Sequence, residues 1–364
     1  MGAVYSGGSR FFAVAVAAAL VATSAACSSG GGKGDESATS ASPQPYAPIA
    51  EGSSVALALP LGSRVEASAK AALTKAGFKV ISRMADRPED QDHFVGLLLE
   101  EKPQVLVVDA LDAGRVAGKL EQAKKAGVVV IATGALPRNS ESVDYYVGSN
   151  PSARGKAQGE AVATAVAGRR PGEPSRVEVF AGRKDDVTAR LQFDATMAEL
   201  KPKQEQKLIE FPGGRTDFDQ ASVEGGEIGK AVEQVLRDKY GDGAPEGLVA
   251  QHDRAALAAV KAAADLKRTV PVVVGAGSSA EGVQALMAGR VAATTWEDQE
   301  RVGEELSTFV SDLTKKERPS LDKQSLSTGK RDVGTRLIMP VTSVTRAMAK
   351  DIYAKDEVLN KLTG

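Results

Sequence analysis

Three groups of residues have the types and spacing to engage a solute. Arg183, Asp185, Asp186, Thr188 and Arg190 crowd one short stretch, His252 and Asp253 adjoin, and Trp296, Glu297 and Asp298 run in succession. Carboxylates and guanidinium groups make the strongest, charge-assisted hydrogen bonds, and an imidazole donates or accepts according to its tautomer. The arrangements that would turn such groups into a catalyst are missing. There is no Gly-x-Ser-x-Gly elbow, no His-Glu-x-x-His pair and no Walker loop, so neither an enzyme nor a bound cofactor is expected. Plainer roles stand beside each group. Asp253 suits a helix cap, Asp185 and Asp186 suit the positive end of a helix dipole, and a tryptophan ending a strand suits a core.

Whether these residues can converge depends on the elements that carry them. The clearest is KPQVLVVDALDAGRVAGKLEQAKKAGVVVIATGALP, from Lys102 to Pro137. Val105–Val108 and Val128–Ile131 are apolar throughout, as strands buried on both faces must be. Between them Val116, Leu120 and Ala123 share one helical face, and Gly127 stands where a helix ends. The result is a right-handed βαβ unit, with Asp109 to Asp112 following its first strand and Thr133 to Ala135 its second. Similar alternation predicts strands at Val55–Leu59, Phe78–Ser82, Tyr145–Gly148, Val177–Ala181, Lys207–Phe211, Leu248–Gln251, Val270–Gly275 and Val291–Trp296. Helices are predicted between them, ending with Gln299–Lys315. Two successive runs of such units imply an α/β protein of two doubly wound, Rossmann-like domains. In open parallel sheets ligands bind beyond the carboxyl ends of the strands, and the charged groups above all lie in loops or helix starts of that kind.

Composition narrows the partners. Across 364 residues Lys plus Arg (46) nearly balances Asp plus Glu (47), so no basic field recommends a nucleic acid. One cysteine and two histidines supply neither a disulfide nor a cysteine- or histidine-rich metal cluster. That cysteine, Cys27, follows an apolar run from Phe11 to Val21 and the small residues Thr23 to Ala26. The run is short for a membrane span of ~20 residues. Residues 28–52 are rich in Ser, Gly, Ala and Pro and read as a flexible tether.

Two resemblances follow from these residues. The segment ending Ala25-Ala26-Cys27 resembles a bacterial lipoprotein signal, which implies cleavage before Cys27, acylation of that residue and an extracytoplasmic, membrane-anchored protein. From roughly residue 54 to 350 the chain resembles the type I periplasmic sugar-binding proteins, the ribose-, xylose- and multiple-monosaccharide-binding group that serves ABC transporters. The blocks that carry this are the βαβ unit above, VDYYVGSNPSARGKAQGEAVA, GLVAQHDRAALAAVKAA and GRVAATTWEDQERVGEEL, in that order. The resemblance implies two domains joined by three crossings, placed near Gly148–Asn150, Trp296–Gln299 and Ser325–Thr328. The N-terminal domain would take residues 53–149 and 298–325, and the C-terminal domain 150–297 and 326–350.

The resemblance also implies site residues. Asp253 matches the aspartate of an Asn-Asp pair that accepts sugar hydroxyls, with His252 in place of the asparagine. Thr188-Ala189-Arg190 is similar to a loop whose arginine forks to sugar oxygens, and Asp185 and Asp186 match acids of the xylose-like branch. Asp112 joins the set from its loop after a strand. Four departures accompany these matches. Pro60 to Arg64 holds no stacking aromatic, leaving Arg64 or Glu66 to face the ligand. Gly134-Ala135 replaces an Asp-Arg clamp, and Ala276-Gly277-Ser278 stands where an aspartate is usual. Trp296-Glu297-Asp298 inverts a cation to Glu297, adding negative charge that favours an amino group or many hydroxyl donors over an acid sugar.

The reading that follows is a monomeric solute-binding lipoprotein that captures a sugar-like ligand for an ABC permease. The alternative is a lipoprotein of the same fold that senses a ligand for a membrane partner. Intact-mass analysis of the membrane fraction should find a chain beginning at an acylated Cys27, and an unmodified Cys27 inside a retained N-terminus would refute the anchor.

Overall fold

The computed structural model describes residues 47–224 and 227–364. The signal segment 1–27, Cys27 and most of the tether therefore lie outside the described residues. The first sheet is built from β1 (Ser54–Pro60), β2 (Lys79–Ala85), β3 (Val105–Val108), β4 (Val129–Ala132) and β5 (Tyr145–Ser149), linked by α1 (Arg64–Lys75), α2 (Pro88–Glu100) and α3 (Ala113–Lys125). After α4 (Pro151–Val166) the second sheet takes β6 (Ser175–Phe180), β7 (Ile209–Glu210), β8 (Gly247–Ala250), β9 (Val272–Val274) and β10 (Ala293–Trp296). Its helices are α5 (Val187–Glu205), α6 (Phe218–Ala221), α7 (Ile228–Tyr240), α8 (Asp253–Asp265) and α9 (Ala280–Met287). The chain then gives α10 (Gln299–Asp312), β11 (Ser325–Ser327), β12 (Asp332–Ile338), β13 (Thr342–Thr345) and α11 (Arg346–Ile352), and ends in a short 3₁₀ turn at Asn360–Leu362.

Strand order in the first sheet is β2-β1-β3-β4-β5-β12-β11, parallel except for β11. The second sheet runs β7-β6-β8-β9-β10-β13, parallel except for β13. Period-2 alternation sends Leu106 and Val108 of β3 to the face covered by α2 and α3, and Val105 and Val107 to the face covered by α1 and α10. In the second sheet Val179 and Val249 pack under α4 and α5, while Phe180 and Leu248 pack under α7 and α8. Two helix pairs approach closely enough to demand glycine. A Cβ on Gly155 of α4 would lie 1.9 Å from the Gln192 carbonyl oxygen of α5, and one on Gly303 of α10 would lie 1.9 Å from Ser68 Oγ of α1.

The chain leaves the first sheet after Ser149 and returns between Trp296 and α10, which joins the core beneath α1. One expectation needs correction. Residues from 326 were assigned to the second domain, with a crossing at Ser325–Thr328. Instead β12 lies parallel to β5 in the first sheet, and the last crossing falls between Ile338 and Thr342. The edge of β5 explains this: left unpaired it would present a row of free N–H and C=O groups, and β12 covers it.

The two lobes also touch directly. The loop after β4 and the loop after β6 are zipped by Val187 N–H donating to the Leu136 carbonyl (2.9 Å) and Arg138 N–H donating to the Asp185 carbonyl (2.8 Å). Leu136 N–H donates to Asp186 Oδ1 at 3.0 Å, and Gly114 N–H to Asp185 Oδ2 at 3.0 Å. Arg183 completes the clasp, pairing with Asp112 of the first lobe at 3.2 Å and with Glu224 of the second at 2.8 Å. A second contact lies elsewhere, where Arg64 of α1 meets Asp356 of the C-terminal tail at 2.5 Å.

Asp186 sits buried in this clasp. Desolvation raises its pKa to about 6, against the opposing pull of the Leu136 N–H and of Thr188. The folded state therefore holds the proton more tightly than the unfolded chain, so Asp186 stabilises the fold most below its ordinary pKa. That stability is lost as pH rises through about 6, at up to ~1.4 kcal/mol per pH unit. Asp186→Asn cannot titrate, so the stability difference between wild type and variant in urea should fall steadily from pH 4 to pH 6.5. A difference constant across that window would show that the carboxyl is unperturbed.

Candidate ligand cleft

The candidate residues lie at strand ends of both sheets. From β3 comes Asp109, whose carboxylate is tucked against Gly134: a Cβ there would lie 1.8 Å from Asp109 Oδ1. Ala135 N–H donates to the same oxygen at 3.3 Å. Gly134-Ala135, read from sequence as a lost clamp, thus makes room for a carboxylate from the neighbouring strand. Burial raises the Asp109 pKa, opposed by the Ala135 N–H and the charge of Arg154. Thr133 follows β4, and its buried Oγ1 has no hydrogen-bond partner among the described residues.

Arg154 was not singled out by the sequence. It lies one turn into α4, whose start is fixed by Pro151 in the first turn and by Asn150, which accepts from Ala153 N–H at 3.1 Å. Its Nη2 donates to Glu297 Oε1, and Gln299 Nε2 reaches the same oxygen at 3.3 Å. Glu297 is 1 % exposed. Burial works against the Arg154 charge, but Glu297, Tyr146 and Asp109 outweigh it and its pKa is raised. Arg154 Nε and Glu297 Oε2 are nevertheless buried without a partner. The inversion to Glu297 therefore does not leave a bare negative charge, because a cation from α4 matches it.

His252 and Asp253, both expected at the ligand, are each engaged within the protein. His252 is the cap of α8, with Nδ1 accepting from Ala255 N–H at 3.1 Å, so the ring is neutral. Part of the residue is open to solvent, and crowding of the remainder, followed by the Arg254 and Arg154 charges, holds its pKa down at about 4. Asp253 turns inward. Its Oδ1 accepts from the Thr294 hydroxyl at 2.6 Å and its Oδ2 from Ser279 N–H at 2.7 Å. A Cβ on Gly282 or Gly275 would lie 2.1 or 2.4 Å from these oxygens. Burial pushes its pKa up to about 6. Asp253 fastens the loop after β9 to β10, and its carboxylate is spent inside the lobe.

The remaining expected contacts are distributed elsewhere. Asp112, Asp185, Asp186 and Thr188 are held in the clasp, where Asp112 also caps α3 and the Thr188 hydroxyl donates to Asp186 at 2.8 Å. Arg190 is exposed on α5, 3.5 Å from Asp194 and 5.5 Å above the Phe218 ring, and does not meet Asp253. Val187, Thr188 and Ala189 take the buried positions of that turn, which leaves Arg190 facing out. Arg64 is taken by Asp356, and Glu66 is half-buried in the first turn of α1, its N–H donating to the Ser63 carbonyl at 3.3 Å. Trp296 is partly buried against the cluster of Val283, Leu286, Tyr353 and Leu359, and its indole Nε1 is buried without a hydrogen-bond partner among the described residues. Asp298 caps α10, accepting from Glu300 and Arg301 N–H groups at 3.1 Å.

A pair of buried amides steadies the wall. Gln158 Nε2 donates to the Ala250 and Gly275 carbonyls at 2.8 and 2.9 Å, and Gln192 Nε2 donates to Gln158 Oε1 and the Gln251 carbonyl at 2.7 Å each. The ends of β8 and β9 are thereby tied to α4 and α5, which carry Arg154 and one side of the clasp.

With this geometry in place, the similarity to known proteins is informative. The multiple sugar-binding periplasmic protein SbpA of Azospirillum brasilense is 24 % identical over 253 residues, 67 % of this chain and 71 % of its own. The multiple sugar-binding periplasmic receptor ChvE of Rhizobium radiobacter is 23 % identical over 269 residues, 70 % of this chain and 76 % of its own. An ABC transporter solute-binding protein from Clostridium phytofermentans, solved with bound β-D-glucose, superposes with a TM-score of 0.75 at 21 % identity over 85 % of this chain and all of that one. The Caulobacter myo-inositol binding protein superposes with a TM-score of 0.57 at 16 % identity, over 83 % of this chain and 96 % of that one. Residues 61–318 match the family model described as the periplasmic binding protein domain, and the chain belongs to that family.

Proposed function

We propose that the protein is an extracytoplasmic solute-binding lipoprotein that takes up a sugar or sugar-like polar ligand between its lobes and delivers it to an ABC importer. It is not catalytic in this reading, and it is held at the membrane through Cys27. The observation that carries the reading is three of the buried polar atoms that lack partners among the described residues, each beside a strand end: Thr133 Oγ1 from the first lobe, with Arg154 Nε and Glu297 Oε2 from the second lobe and the crossing beside it. An unsatisfied buried polar group costs about 1–3 kcal/mol, and a polyhydroxylated ligand offers donors and acceptors to all three. The sugars bound by the relatives agree with this. The three crossings supply a hinge about which two rigid lobes can turn.

Thermal denaturation of the purified protein against sugars, polyols and nucleosides should identify at least one sugar or polyol that stabilises it, by ~2.7 kcal/mol at a hundred times its dissociation constant. A panel in which nothing shifts the transition would sink the reading. The inward turn of Asp253 yields a further expectation. Asp253→Ala strands the Thr294 hydroxyl and Ser279 N–H and should lower stability by about 1–3 kcal/mol, while calorimetry on the folded variant returns a nearly unchanged affinity. A large loss of affinity at unchanged stability would return Asp253 to the ligand.

A further inference from the structure

The Arg154–Glu297 pair holds a donor and an acceptor unsatisfied at once: Nε of the guanidinium and Oε2 of the carboxylate. A hydroxyl group both accepts and donates, so one hydroxyl, or two on neighbouring carbons, can serve both atoms. A ligand carboxylate can accept from Nε, but having no proton to donate it would set a second anion against Glu297 Oε2 in buried surroundings. The neighbours sharpen this contrast. Asp109 faces Arg154 from the first lobe, so two carboxyl groups share one guanidinium, and His252 adds no positive charge while it caps α8 through Nδ1. Ala135 N–H is already engaged by Asp109, and Ala255 N–H by His252.

We infer that the Arg154–Glu297 pair is a charge filter, accepting neutral vicinal polyols and rejecting carboxylate-bearing ligands of the same shape. The inference rests on the cleft being a binding site. In it Arg154 donates to a ligand hydroxyl through Nε, and Glu297 accepts from a hydroxyl while denying the place to an acid. The competing role is a strut between α4 and the second crossing, with no influence on what binds.

Calorimetry with matched neutral hexoses and their uronic acids separates these roles. For any hexose that binds wild type, the uronate should bind at least about tenfold more weakly, the scale of one lost hydrogen bond to a charged group. Glu297→Gln removes the repelling charge and should shrink that ratio to about threefold or less. Arg154→Lys keeps the charge but lacks the Nε donor. It should weaken hexose binding about tenfold while leaving the uronate disfavoured, which keeps the test alive if Glu297→Gln fails to fold. Equal affinity for a hexose and its uronate in wild type would overturn the filter, as would a ratio unmoved by Glu297→Gln or hexose affinity unmoved by Arg154→Lys. Binding of uronates alone would overturn the filter and leave a sugar site standing, whereas binding of no hexose and no uronate would remove the site and the filter together.

Discussion

Strands buried on both faces carry few polar side chains, each of which needs a partner inside, and that constraint shapes the rest of the molecule. Val105 to Val108 has no exposed residue, β8 and β9 are equally apolar, and the fully buried polar side chains of β6 and β10 include Glu178, bonded by the Tyr240 hydroxyl, and Thr294, bonded to Asp253. Most polar chemistry is left to the points where strands stop. Because the strands of each sheet are parallel apart from one edge strand, those points gather along one edge of each sheet. Asp109, Thr133, His252 and Glu297 all owe their places to this rule, and Arg154 owes its place to the helix that begins where β5 ends.

The same rule decides how much could be read from the sequence. Alternating β-branched runs and glycine-closed helices announce the two sheets plainly, because burial on both faces leaves an unbroken apolar signature. β12 was assigned to the wrong lobe since Asp332–Ile338 mixes charged and apolar residues, and its membership depends on which edge stood open, a tertiary fact. The site was less legible. The pairing of Arg154 with Glu297 spans 143 residues, and an arginine one turn into a helix looks no different from a solvated one. At His252-Asp253 the residue types suggested a ligand contact, but which neighbour caps the helix and which turns inward is settled by packing, and the cap went to the histidine. A signal was present at Arg154 in retrospect: Asn150-Pro151 fixes the helix start at a crossing, so the residue one turn on has a defined direction.

Carboxylates divide into two populations with different work. Asp112, Asp185 and Asp186 bind the lobes to each other through backbone N–H groups and Arg183. Asp109 and Glu297 stay near the strand ends and share the Arg154 charge. Residue type alone cannot separate these populations, since both follow strands and both precede or adjoin helices. The difference lies in the partners each set meets: backbone N–H groups and Arg183 across the lobes in one case, the Arg154 guanidinium in the other.

The return of β12 to the first sheet before the tail joins the second means that neither lobe is an unbroken stretch of gene. Exchanging a whole lobe with a relative would require three coordinated junctions, and the Arg64–Asp356 contact would have to be re-made across the graft. Arg154, His252 and Glu297, by contrast, lie within one continuous span between the first two crossings. Diversification by point substitution inside that span leaves the junctions intact, whereas recombination of lobes breaks them. The topology thus favours lineages that change their cleft residue by residue over lineages assembled from interchangeable halves.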